Sequence, residues 1–124
     1  MSTIFKYRFD SELNILYKNY FGLISIEDIF VSWEHAFNNN VIPEDTKGVI
    51  LDFRKANFDF KVDRFVDIAS FYKKHIRIFK GMRIASISVE PSDVVIPMMV
   101  KTRDEGYSSE PFSTEEAAIN WILS

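Results

Sequence analysis

The amino-acid sequence predicts one α/β domain built on a mostly parallel mixed sheet, and three features predict it. From residue 25 onward, stretches of strand character alternate with single amphipathic helices, the arrangement that produces parallel strands joined by right-handed crossovers. The first two strands are separated only by a short polar turn, so they form an antiparallel hairpin. The 124 residues, 47 % apolar and 27 % charged, suffice for a single core of ordinary soluble composition. The expected order is ββαβαβαβα, one domain over 1–124, with the helices packed against the sheet.

Each element has a local reason. Ile4 to Phe9 and Leu13 to Phe21 alternate apolar and polar residues as half-buried strands do, with Asp10-Ser11-Glu12 as the turn between them. Ser25 followed by Asp28 forms a capping box, and Ile26, Ile29, Phe30, Trp33, Ala36 and Phe37 recur at helical spacing, predicting a helix over 26–38. Gly48-Val-Ile-Leu-Asp-Phe53 is apolar without alternation, as a central strand covered on both faces is. Asp59 or Asn57 is placed to cap a second helix whose stripe is Val62, Phe65, Val66, Ala69, Tyr72 and Ile76, with Gly81 closing that unit. Met82 to Glu90 is the next strand. Pro91-Ser92-Asp93 opens a third helical stretch, either kinked at Pro97 or regular only from there. A short strand over 107–112 follows, and Ser113 with Glu116 caps a last helix ending near Leu123.

Composition removes whole classes of chemistry. There is no cysteine, which excludes disulfides, iron–sulfur clusters, thiolate zinc sites and thiol nucleophiles, and there are two histidines, His35 and His75. The net charge of −3 gives no general attraction to nucleic acid. No apolar run approaches the roughly 18 residues of a membrane span, and residues 1 to 9 alternate in character instead of forming a targeting segment. A cytoplasmic protein with no membrane insertion is expected. The four glycines all sit at joints between elements, too far apart for a dinucleotide fingerprint or a P-loop.

Four features invite a functional reading. Asp52 ends the apolar central strand, at the level where open α/β sheets bind ligands, and Arg54 follows on the same side. Together they can orient a polar ligand, or Asp52 can satisfy loop N–H groups with Arg54 balancing its charge. His35 and His75 fall on helix surfaces with no nucleophile motif beside them, which suits solvated residues. Lys73, Lys74, Arg77, Lys80 and Arg83 form a basic cluster that suits an acidic partner or a phosphate, although cations near the C-terminal turns of a helix also stabilise it. Finally, 19 aromatics exceed what a small core needs. On a helical wheel Ile68 and Phe71 fall outside the stripe of helix two, and Phe58 and Phe60 flank Asp59 before it. These four form either a partner surface or the margin of a more widely buried helix.

With its elements in this order, the chain resembles the STAS family, the sulphate transporter and anti-sigma-factor antagonist domains, and especially small stand-alone bacterial members. The resemblance rests on the N-terminal hairpin, Gly22-Leu-Ile-Ser-Ile-Glu-Asp28 entering helix one, Gly48-Val-Ile-Leu-Asp-Phe53, Met82-Arg-Ile-Ala-Ser-Ile87, and Ser113-Thr-Glu-Glu-Ala-Ala-Ile-Asn-Trp121. It implies the STAS fold over essentially the whole chain. The regulatory members carry a phosphorylatable Ser or Thr after the strand that matches Val49 to Phe53. Here residues 47 to 69 contain no Ser, Thr or Tyr, so a kinase-driven partner switch of that type is not expected.

The function expected is a non-enzymatic, cofactor-free interaction module that binds an unidentified protein partner, or itself as a homodimer, through Phe58, Phe60, Ile68 and Phe71. The alternative is a carrier or sensor of a small apolar ligand, with a pocket at the strand ends where Asp52 and Arg54 fix a polar head group. The resemblance favours that alternative slightly, since STAS-like domains are similar to modules thought to accept nucleotides or lipids.

Overall fold

The hairpin and the three crossovers expected from the sequence assemble into a single five-stranded sheet. The computed structural model describes residues 4–124; residues 1–3 of the N-terminal segment considered for targeting lie outside the described residues. The strands are β1 (Phe5–Asp10), β2 (Ile15–Ile24), β3 (Gly48–Phe58), β4 (Arg83–Ile87) and β5 (Ser108–Phe112). They lie side by side in chain order, with β1 antiparallel to β2 and every other neighbour parallel. The helices are α1 (Ile26–Asn38), α2 (Phe65–Lys74), α3 (Ile76–Phe79), α4 (Pro91–Lys101) and α5 (Glu115–Leu123).

Because the sheet always grows in one direction, right-handed crossovers place α1, α2 and α4 on the same face. Leu16, Tyr20, Val49, Leu51, Phe53 and Ile84 bury against that layer. The opposite residues of the same strands, Ile15, Tyr17, Ile50, Ala85 and Ile87, meet Ala118 and Ile122 of α5, which covers the other face alone. α5 packs on β3, β4 and β5, and the Arg8 guanidinium 3.9 Å from the Tyr17 ring covers that side of β2.

α1 has the predicted bounds and the predicted cap: Asp28 N–H donates to Ser25 Oγ at 3.1 Å, and Ser25 N–H to Asp28 Oδ2 at 2.9 Å. Other boundaries differ. Asn14 takes a left-handed φ of 58°, which leaves Leu13 in the turn and starts β2 at Ile15. The strand continues beyond Phe21 to Ile24. β3 runs past Phe53 to Phe58, because its register against β2 slips: Asn19 pairs with Asp52 but Phe21 with Lys55, so Phe53 and Arg54 share the place opposite Tyr20. This is a β-bulge, and it exchanges the faces beyond it.

The second helical unit is corrected most. Neither Asp59 nor Asn57 caps it; it opens with a 3₁₀ turn over Val62–Arg64 and has no side-chain cap, while Asn57 belongs to β3. Its buried face holds Ile68, Ala69, Phe71 and Tyr72, whereas Val62 and Val66 are 42 % and 38 % exposed. The face is displaced because α2 is flanked by α1 as well as by the sheet: Phe71 stacks on Phe30 at 4.9 Å. α4 is helical from Pro91 through Pro97. The cap of α5 is Thr114, which accepts from Ala117 N–H at 3.2 Å, and not Ser113, since the β4–β5 ladder ends at Phe112 and Ser113 makes the turn.

Gly48 starts β3 under the end of α5. A Cβ there would lie 2.6 Å from Arg83 O and 2.7 Å from Ile122 Cγ2, so backbone and α5 would both have to yield. Gly48→Ala is expected to destabilise the fold by about 1–3 kcal/mol as an overpacking change, read as a lower urea midpoint with an unchanged slope.

Candidate functional site

The bulge shapes an apolar slot beneath α2 and α4. Before it, Leu51 and Phe53 face the helices; after it, Ala56 and Phe58 do, where uninterrupted alternation would have sent Lys55 and Asn57 inward. Phe58 thereby stands against Phe53 at 4.7 Å, edge to face, and Phe60 leans on Phe58 at 5.0 Å. Ile68 and Tyr72 of α2 and Ile96, Pro97 and Val100 of α4 complete the walls, with Ser86 and Ser109 as the polar contribution of the sheet. The Ser109 hydroxyl donates to Asp104 Oδ1 at 2.7 Å, which leaves the lining almost wholly apolar. The free volume is about 40 Å³, enough for a small group and well short of the roughly 150 Å³ cavity that takes up benzene in an engineered protein.

The four aromatic-surface residues are therefore divided. Phe58 and Ile68 line the slot, Phe60 rests half-buried beside it, and Phe71 is turned toward α1. Ile68 and Phe71 are 6 % and 9 % exposed, which corrects the expectation of a partner surface at these two positions and agrees with the alternative of a more widely buried helix.

Asp52 and Arg54 are brought together, but on the other face of the sheet. Arg54 Nε and a terminal nitrogen donate to the two Asp52 carboxylate oxygens at 3.0 and 2.7 Å, and the Arg54 backbone N–H donates to Oδ1 at 3.0 Å. That N–H is the one the bulge withdraws from the ladder, so Asp52 satisfies it. Burial alone would raise the Asp52 carboxyl; the Arg54 side-chain and backbone hydrogen bonds outweigh it and hold the carboxyl below its ordinary range. With Asn19, Tyr20, Phe21 and Lys55 the pair lines a separate recess of mixed character. Strand alternation keeps this recess away from the slot, so Asp52 and Arg54 fix no head group there.

The histidines are packed on aromatic rings. His35 stacks on Tyr7 at 5.6 Å, and His75 lies 4.5 Å from Phe71. Among the described residues no three His, Asp or Glu side chains are grouped to hold a metal ion, and no helix is long and apolar enough to cross a membrane.

Lys18 is the site residue that sequence reading missed. It shares the inward face of β2 with Leu16 and Tyr20, opposite Tyr7 of β1, and is 0 % exposed. Its Nζ donates to Ser32 Oγ at 3.0 Å and lies 3.3 Å from the centre of the Trp33 ring. Ser32 is a hub: its hydroxyl donates to Ile29 O, accepts from Lys18 and pairs with Tyr20 OH at 2.7 Å, while its carbonyl accepts from Tyr7 OH. No carboxylate pairs with Lys18 among the described residues. Burial holds its amine well below the ordinary lysine range, and pushes the Tyr7 hydroxyl up to about 12. The spacing signal was the alternation itself, since residue 18 falls on the parity of Leu16.

A depressed lysine pKa has a definite sign. Between the folded value and the ordinary 10.5, the unfolded chain binds a proton that the folded chain does not, so stability rises with pH across that window and the full penalty applies below it. The buried tyrosines reverse the trend above about pH 10, where the unfolded phenols ionise first. Lys18→Met is expected to raise stability by about 1–4 kcal/mol near neutrality and to flatten the rise between pH 7 and 9.5. Urea unfolding across that range measures both.

No protein-family model matches the chain, and no curated protein matches it. Among solved structures it is similar to an uncharacterized protein of the DUF3478 family from Shewanella loihica PV-4, which has a SpoIIAA-like fold. The TM-score is 0.62 at 15 % sequence identity, over 98 % of each chain. At that identity the likeness is one of fold, and it agrees with the STAS-like arrangement read from the sequence: the chain has the SpoIIAA-like fold.

Proposed function

We propose that this STAS-like domain is a non-enzymatic binding module that takes a small apolar ligand, or the end of a lipid chain, into the slot between α2 and α4. The observation that supports it most is the lining itself: Phe53, Phe58, Ile68, Ile96 and Val100 converge on unfilled space that the core does not close. α4 is the wall best suited to move. Pro97 removes one backbone hydrogen bond at the level of the slot, and the N-terminal turn is tethered through Asp93, which accepts from Asn57 Nδ2 at 3.2 Å. Displacing the C-terminal half of α4 enlarges the slot without releasing that anchor, at the cost of the Lys101–Glu110 ion pair that ties this half to β5. Among the described residues the polar side chains that line it from the sheet are Ser86 and Ser109, the latter donating to Asp104.

Val62 and Val66 favour a second reading, in which a protein partner or a second copy binds the outer side of α2 beside Phe60. Here the aromatic residues act from beneath the contact surface.

Native mass spectrometry separates the two. The carrier reading expects extra mass that disappears on denaturation, or, for a bare protein, uptake of lauric acid that shifts the methyl resonances of Ile84, Ile96 and Val100. Val100→Trp, which fills the slot, is expected to abolish either signal while the circular dichroism stays native. A bare monomer with unmoved methyl resonances overturns the slot, and a dimer lost on Val66→Glu supports the second reading.

A further inference from the structure

A third recess, chemically opposite to the slot, opens at the amino-terminal edge of the sheet. It lies between the loop before β3, the α3–β4 connection and the end of α5, and encloses about 670 Å³. Lys47, Arg77, Lys80 and Arg83 line it against a single acidic side chain, Glu44. The basic cluster noted in the sequence is divided by the fold: Lys73 leaves it to pair with Glu105 at 3.3 Å, whereas Lys47 joins it from 30 residues before Arg77. The register brings it there, since Gly48 pairs with Arg83 and the Arg83 N–H donates to Lys47 O at 3.4 Å. Among the described residues none of these four cations pairs with a carboxylate side chain. Arg83 is held by main-chain oxygens of Trp121 and Ser124 and by Ser124 Oγ, which fixes its charge at the floor and leaves Lys47, Arg77 and Lys80 free to reach a ligand.

Helix-end stabilisation accounts for only part of this arrangement. Arg77 and Lys80 lie at α3 and its C-terminal cap, where exposed carbonyls favour cations. Lys47 ends no helix, and Arg83 begins a strand. Four cations on three separate segments around one concavity, in a chain of net charge −3, concentrate positive potential where the rest of the molecule does not.

We propose that this recess is a binding site for a phosphate-bearing anion, with Lys47, Arg77 and Lys80 contacting the phosphate oxygens and Arg83 supplying fixed charge beneath them. The phosphate group belongs either to a free small molecule or to a lipid headgroup, and the test distinguishes the sources. Pyrophosphate titrated into the ¹⁵N-labelled chain is expected to give saturable shifts over residues 42–47, 77–83 and 122–124, weakened by added salt. The double variant Lys47→Gln/Arg77→Gln, exposed at both positions, is expected to bind about tenfold or more weakly with an unchanged Tm. Vesicles of phosphatidylcholine with phosphatidic acid form the second arm: co-sedimentation without a pyrophosphate response assigns the site to a headgroup, and the reverse assigns it to a free anion. Absence of both, or binding that the double variant retains in full, overturns the site. The slot under α4 shares no lining residue with this recess, so an empty slot leaves this result unaffected.

Discussion

The one-residue slip between the two central strands is the constraint on which the helical face depends. Opposite Tyr20, β3 spends two residues where β2 spends one, and from that point the pleat of β3 points the other way. Ala56 and Phe58 turn to the helices and Lys55 to solvent. Without the slip the last turn of the strand would bury a lysine under α2 and α4, and the aromatic wall of Phe53, Phe58 and Phe60 would not exist. The device needs a local solution for the N–H it frees, and Asp52 provides one by accepting from Arg54 through both backbone and guanidinium. A carboxylate that looked like a ligand contact is thus part of the mechanism that builds the slot on the far side of the sheet.

The same face carries a second constraint. Lys18 places an amine in the core with one hydrogen-bond acceptor, Ser32 Oγ, and an indole face. An ammonium would leave donors unsatisfied in a low-dielectric setting, which is why burial lowers the amine's hold on its proton. Ser32 gathers contacts from β1, β2 and α1 at once, because Tyr7, Lys18 and Tyr20 all converge on it. This joins the edge strand to α1 by polar bonds where apolar packing alone would tolerate sliding. Lys18 carries the desolvation cost of that arrangement.

How much of this was legible follows from which interactions are local. α1 was readable residue by residue, since its capping box and stripe are encoded within fourteen consecutive positions, Ser25 to Asn38. The sheet order was readable because single helices between strands leave few topologies. What failed was long-range. Phe53-Arg54 reads as the end of an apolar strand, and only pairing with β2 shows it to be a bulge. The buried face of α2 is displaced by Phe30 of α1, 41 residues before Phe71. Of the site residues, Phe58 and Ile68 were found for their aromatic and apolar surplus, whereas Lys18 was passed over because a lysine in a strand is ordinarily solvated.

The two recesses sit where the chain direction puts different physics. With β2 to β5 parallel, every crossover helix begins at the carboxyl edge of the sheet and ends at the amino edge. The carboxyl half is walled by helices lying on the sheet, so their apolar faces meet there and leave the slot. At the amino edge the chain returns through loops and helix ends, whose carbonyls draw cations and whose irregular backbone leaves an open concavity. β4 is the one element that reaches both, through Ile84 and Ser86 on the slot and Arg83 on the recess. It is an interior strand, bonded on both sides to β3 and β5. The fold therefore holds its apolar and its cationic concavity apart on that strand, which makes their occupancies independent unless one ligand is long enough to span the sheet.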